Sequence, residues 1–169
     1  MNEDKGSADA NSLLAKLRES ERRFQELADH APVGIFETDA DGNCIFVNET
    51  WCSLAGMTSA AAQGRGWVAA VHPDDRQKVF DEWYAAAQAG REFAADYRFC
   101  TPEGKVSWLK GSARALRKDG GQITGYIGTV TNITERRLSE QASADLAQKL
   151  QLVTDALPAL ISYVDASAH

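Results

Sequence analysis

Three groups of side chains in this chain could do chemistry: the carboxylates Asp74-Asp75, the histidines His30 and His72, and the thiols Cys44, Cys52 and Cys100. General acid–base work needs groups that converge on one reacting atom. Adjacent residues on a helix point in different directions. Asp74-Asp75 follows His72-Pro73, and proline at a first helical position with acidic residues behind it suits a helix start, where the dipole is positive. The cysteines are odd in number and far apart, with no C-x-x-C, so neither a zinc site nor a disulfide framework is signalled. No G-x-S-x-G, phosphate loop, H-E-x-x-H or dinucleotide fingerprint occurs. The sequence therefore predicts no catalytic or metal site and a chain that is not itself an enzyme.

Composition narrows the class further. The 169 residues suffice for one ordinary domain with extensions, and not for two full domains. A net charge of -6 argues against a nucleic-acid partner, which would need a basic face. No run is long and apolar enough to cross a bilayer, and no signal-peptide pattern opens the chain. Reduced thiols in a cytoplasmic protein are the expectation.

The elements come from periodicity. Leu13, Leu17, Ser20, Phe24, Leu27 and Ala31 recur at 4-3-4-3-4 spacing, a heptad seam on a helix from about Asn11 that ends before Pro32. The first nine residues read as disordered. Val33 to Thr38 and Cys44 to Val47 form a hairpin around Asp41-Gly42. Asn48 caps a helix over Glu49 to Ala55, which Gly56 ends. Short helical turns fill 57–71, and the helix from Pro73 runs to Gly90. Three strands follow, about Glu92 to Cys100, Val106 to Leu116 and Gln122 to Thr131, joined by glycine turns. A last helix starts at Asn132, with Leu146, Leu150, Val153 and Leu157 as a second seam. The class is α+β: a five-stranded antiparallel sheet with helices on one face, flanked by coiled-coil-like helices at both ends.

The segment Phe24 to Ala40 also lines up with Leu150 to Ala166, sharing Gln, Asp, Pro, Ile, Asp and Ala at a fixed offset. This predicts one full repeat over 21–137, an N-terminal helix within 1–20, a linker helix over 138–157, and the truncated start of a second repeat over 158–169. The tail after about Pro158 is expected to be an orphan strand, disordered or packed opportunistically.

The ordered set Pro32-x-Gly34-Ile35, Asp39-x-Asp41-Gly42, Val47-Asn48, Leu54-x-Gly56, His72-Pro73-Asp74-Asp75, Tyr97-Arg98, Gly104-x-x-x-Trp108 and Gly125-x-x-Gly128 resembles a PAS domain with its PAC region. One departure stands out. The family usually closes on Asp-Ile-Thr, and this chain has Asn132-Ile133-Thr134, which lacks the carboxylate for an ion pair back to the sheet.

The resemblance implies a sensor module of a signal-transduction protein. It implies a hollow between sheet and helices, for which alternation and helical spacing nominate Trp51, Leu54, Val71, Val79, Trp83, Tyr97, Phe99, Leu109, Tyr126 and Val130. These side chains would either line a small-molecule pocket or fill a solid core. It implies a relay at Asn132, Thr134 and Glu135 into the last helix. Downstream, it implies a further PAS domain and an output domain of histidine kinase or diguanylate cyclase type in the same polypeptide.

The seam at Leu13, Leu17, Phe24 and Leu27 predicts a homodimer interface. No cofactor is named. Flavin is disfavoured because Gly64-Arg65-Gly66-Trp67 lacks the cysteine of light-sensing relatives. Haem is disfavoured because His30 and His72 sit at element boundaries. The rival expectation is a ligand-free dimerisation and assembly module.

Overall fold

The computed structural model describes the backbone of residues 3–166 and the side chains of 11–154. The elements are α1 (Glu3–Asp29), β1 (Gly34–Asp39), β2 (Cys44–Val47), α2 (Glu49–Ala55), α3 (Ser59–Ala62), a 3₁₀ turn (Gly66–Ala70), α4 (Pro73–Gln88), β3 (Phe93–Cys100), β4 (Val106–Arg117), β5 (Ile123–Asn132) and α5 (Thr134–Ala166). They fall into two compact units, one ending at Asn132 and the other starting at Ile133.

In the first unit all strand pairs are antiparallel, in the order β2-β1-β5-β4-β3. The period-2 pattern decides which face is buried. Phe93, Tyr97 and Phe99 on β3, Leu109 and Ala113 on β4, and Tyr126 and Val130 on β5 are buried, while Lys110, Ser112 and Arg114 are exposed. Trp51 and Ala55 of α2 and Val79, Trp83 and Ala87 of α4 belong to the same core.

Two helix starts behave as their sequences dictate. Asn48 Oδ1 accepts from the Trp51 amide at 3.0 Å, and Gly56 closes α2 in the left-handed region at φ 65°. His72 caps α4, its Nδ1 accepting from the Asp74 amide at 3.3 Å. Asp75, one turn in, then latches α4 to β3. Its carboxylate accepts from the Arg98 amide at 2.9 Å, from Arg98 Nε at 2.8 Å and from Arg98 Nη2 at 2.6 Å.

The side-chain hydrogen bonds from Arg98 are the main reason the Asp75 carboxyl sits below its usual range. The sign follows directly. A carboxylate stabilised in the folded state contributes above its unfolded pKa of about 4 and loses that contribution as pH falls through the lower folded value. Asp75→Asn should therefore cost about 1–2 kcal/mol at pH 7, modest because the pair keeps an edge in water. The gap to the unmodified chain should close in urea titrations carried below pH 4. A gap that is constant with pH would rule out the latch as the cause.

Most boundaries fall within two residues of the sequence reading, and the differences at the two terminal helices have a physical reason. Helix α1 begins at Glu3, not near Asn11, so the start expected to be disordered is helical from residue 3. A nucleated helix extends at one hydrogen bond per residue, and polar residues do not stop it. At the other end, α5 is helical through Ala166, where a strand was expected after Pro158. A lone strand has no neighbour to take its backbone hydrogen bonds, whereas a helix satisfies them internally. Finally, Asn132 closes β5 and α5 opens at Thr134, two residues later than expected.

Candidate functional site

The hollow between sheet and helices is small. Phe36 and Thr38 of β1, Cys44 and Val47 of β2, Phe93, Tyr97 and Phe99 of β3, Trp51, Trp67, Val79 and Trp83 enclose a cavity of about 40 Å³. That is room for a water or two, against the roughly 300–1,000 Å³ of a typical small-molecule site.

The aromatic side chains take up the rest. The Trp83 ring meets Phe36, Phe93 and Tyr126 edge-on at 5.8, 5.4 and 5.6 Å between centroids. Trp51 meets Phe99 at 5.4 Å. Such pairs each add about 0.5–1.5 kcal/mol beyond the area they bury.

Polar atoms around the hollow are mostly committed. Trp83 Nε1 donates to the Gly42 carbonyl at 2.8 Å and the Tyr126 hydroxyl to the Ala87 carbonyl at 2.6 Å. The Thr38 hydroxyl donates to the Asp39 carbonyl at 3.0 Å. Burial pushes the Cys44 thiol up to about 11 and raises the Tyr97 hydroxyl as well, so both are neutral near pH 7. A protonated, buried thiol is a poor nucleophile. Among the described residues no group of three or more His, Cys, Asp or Glu side chains could hold a metal ion.

Of the residues nominated from sequence, Trp51, Val79, Trp83, Tyr97 and Phe99 meet at this cavity. Val71, Leu109, Tyr126 and Val130 are buried in the surrounding core, and Leu54 is half-buried against it. Sequence reasoning missed Phe36, Thr38, Cys44, Val47 and Trp67. The alternation of Gly34, Phe36 and Thr38 was a usable signal for two of them. Trp67, in a segment without periodicity, offered none.

Asn132 ends β5, and Thr134 and Glu135 form the first turn of α5. Leu13, Leu17 and Leu27 are exposed on α1, Leu27 to 76%. Phe24 differs from them, since its ring also packs on Phe46 of the same chain at 5.6 Å.

A further residue joins the flanking helix to the core. Asn48 is buried, and besides capping α2 its Oδ1 accepts from the Ile35 amide at 2.8 Å. Its Nδ2 donates to the carbonyls of Ala28 at 2.6 Å and Val33 at 3.1 Å. One side chain thus holds the end of α1, the start of β1 and the start of α2.

The model of the PAS fold family matches residues 44–130, about half of the chain. The chain belongs to the PAS fold family. A PAS domain is a sensor type of module. The chain is 36% identical over 141 residues, 83% of this chain and 17% of the relative, to the uncharacterized protein y4lL of Sinorhizobium fredii. It is 30% identical over 145 residues, 82% of this chain and 15% of the relative, to the two-component sensor PprA of Pseudomonas aeruginosa.

Among solved structures, the N-terminal domain of a diguanylate cyclase with PAS/PAC sensor from Marinobacter aquaeolei superposes with a TM-score of 0.56 at 19% identity, covering 62% of this PAS domain's chain and 98% of that one. The chain spans less than a fifth of the two sequence relatives' length. No helix of the described residues is long and apolar enough to cross a membrane.

Proposed function

We propose that this PAS domain senses a small molecule or partner and relays the change through α5 to a following PAS repeat and an output domain of histidine kinase or diguanylate cyclase type, in the cytoplasm. The observation that carries the reading is the course of β5. This strand lies at the centre of the sheet, holds Tyr126, Gly128 and Val130 in the core, and is followed after one residue by a helix of 33 residues. A shift in core packing therefore reaches the root of α5 along one continuous strand. Any ligand acts only through the difference in its affinity for the two states. Exposed Leu13, Leu17 and Leu27 on α1 and Leu146, Leu150 and Val153 on α5 favour pairing of these helices in a homodimer. A second reading, a ligand-free assembly module, is favoured by the 40 Å³ hollow.

One experiment separates them. In a protein where this chain precedes its output domain, residues are inserted after Ser139. Four inserted residues rotate the downstream helix by about 40° and break its heptad phase, while seven restore that phase. Output should change several-fold with four residues and recover with seven, and light scattering of the 169-residue chain should give twice its mass. Unchanged output with both insertions sinks the relay, and a doubled mass alongside it leaves the assembly reading. A monomer sinks the dimer.

A further inference from the structure

We propose that a second, polar cleft at the hairpin end of this domain binds a small molecule through its carboxylate. This deepens the sensing reading and rests on it. The cleft has a volume of about 550 Å³ and lies between the β1–β2 hairpin tip, the 3₁₀ turn, the end of α4 and the start of β5. Unlike the core hollow, it falls within the size range of small-molecule sites.

Its one cation is Arg65. The guanidinium carbon stands 5.0 Å from the centroid of the Tyr84 ring and 5.6 Å from that of Phe80. The guanidinium rests on these rings with an N–H toward the Tyr84 hydroxyl, and of its five N–H groups enough remain to take a carboxylate with two parallel hydrogen bonds. Arg65 forms no ion pair among the described residues. Its backbone is fixed from the preceding residue, because Gly64 exchanges both amide bonds with Cys44, at 2.8 and 2.9 Å.

The hairpin wall is equally fixed. Asp39 Oδ1 accepts from the amides of Asp41 at 3.0 Å and Asn43 at 2.8 Å. The Asn43 amide group donates to Asp39 Oδ2 at 3.0 Å and accepts from the Tyr84 hydroxyl at 3.3 Å. A site whose walls are already held loses little entropy on binding.

The lining also selects the ligand. Asp41 carries the one carboxylate on the cleft, and it too has no ion pair among the described residues. It repels a second acidic group on a ligand and attracts an ammonium. Ile123 and the Tyr84 ring offer an apolar surface beside these charges, with the buried Tyr126 behind them. The fit is a small monocarboxylate with a short apolar body, either a zwitterionic α-amino acid or a plain carboxylic acid. Tyr126 connects the cleft to the core, since its hydroxyl holds the Ala87 carbonyl in α4 while its ring packs on Trp83. An occupant thus presses on α4 and on the first half of β5 together.

The test is calorimetric titration of the 169-residue chain with L-alanine, L-leucine and L-glutamine in one arm, and with acetate and isovalerate in the other. Saturable binding is expected in at least one arm, weakened about tenfold or more by Arg65→Ala and less by Arg65→Lys, which keeps the charge but not the fork. Asp41→Asn tells the arms apart, weakening the amino acids and sparing or strengthening acetate and isovalerate. Arg65 is exposed, so Arg65→Ala should still melt cooperatively within a few degrees of the unmodified chain. The proposal is overturned if no probe binds at about 10 mM to a cooperatively melting protein, or if Arg65→Ala leaves affinity unchanged. If no probe binds while insertions in α5 still alter output, the cleft assignment falls and the sensing reading stands.

Discussion

Replacing Asn48 with alanine should lower the melting temperature by about 10 °C, the largest loss expected from any single polar side chain here. The substitution strips partners from the amides of Ile35 and Trp51 and from the carbonyls of Ala28 and Val33. The side chain is 1% exposed, so water does not replace them without opening the structure. The Ala28 carbonyl keeps the Ala31 amide at 3.2 Å. A buried group left without its partner costs about 1–3 kcal/mol, and even if relaxation recovers half for the other three, about 3 kcal/mol is lost. That is a large part of the 5–15 kcal/mol that typically holds a domain together.

Asn48→Asp separates hydrogen bonding from shape. It keeps both acceptor bonds but turns the two donors toward Ala28 and Val33 into a buried carboxylate facing two carbonyls. Burial raises the introduced carboxyl's pKa, so its protonated form is the stable one. The stability difference from the unmodified chain should shrink as pH falls from 7 to 5. Thermal melts at both pH values decide the matter. A loss for Asn48→Ala of only a degree or two would mean that Asn48 acts as an ordinary surface cap, worth about 1 kcal/mol.

Asn48 also shows what the sequence could and could not reveal. Its place before Glu49-Thr50-Trp51 made it legible as a helix cap, because capping is local and the Trp51 amide lies three residues on. Its bond to Ala28, 20 residues earlier, depends on how α1 docks, and no spacing rule carries that information. The strands were legible for the same local reason. Glycine turns and alternating apolar residues fixed their boundaries to within two residues and assigned Tyr97, Phe99, Tyr126 and Val130 to the buried face.

Alternation fixes a face but not a place on it, so Leu109 and Val130 were nominated for a cavity whose wall Phe36 and Thr38 supply instead. The volume of the hollow was not legible either. It depends on how the Trp83, Trp51 and Phe93 rings tilt against one another, which follows from tertiary packing. The polar cleft escaped notice because Asp41, Arg65 and Tyr84 come from three elements with no common period.

Gly128→Ala should destabilise the domain by about 3 kcal/mol, and Gly128→Val should leave little folded protein at 37 °C. Gly128 sits on β5 directly between Phe36 of β1 and Ala113 of β4. A Cβ there would stand 2.4 Å from the Ser112 carbonyl oxygen and closer still to the Phe36 ring. The ring can move at the expense of its contact with Trp83. The Ser112 carbonyl cannot, because it is backbone of the neighbouring strand, and β5 is held by ladders on both sides.

A double-mutant cycle exposes the difference. Phe36→Leu should recover part of the loss from Gly128→Ala by removing the ring, but the pair should remain less stable than Phe36→Leu alone, since the carbonyl contact persists. Thr131→Val, exposed near the end of the same strand, serves as the reference and should stay within about 0.5 kcal/mol of the unmodified chain in urea unfolding. Full recovery in the double variant would mean that the ring alone crowds this position, and that the central strand can yield. A β5 that yields to one methyl group would be a poor rod for carrying a packing change to α5. The stiffness measured by this cycle is therefore also a measure of whether the strand can transmit.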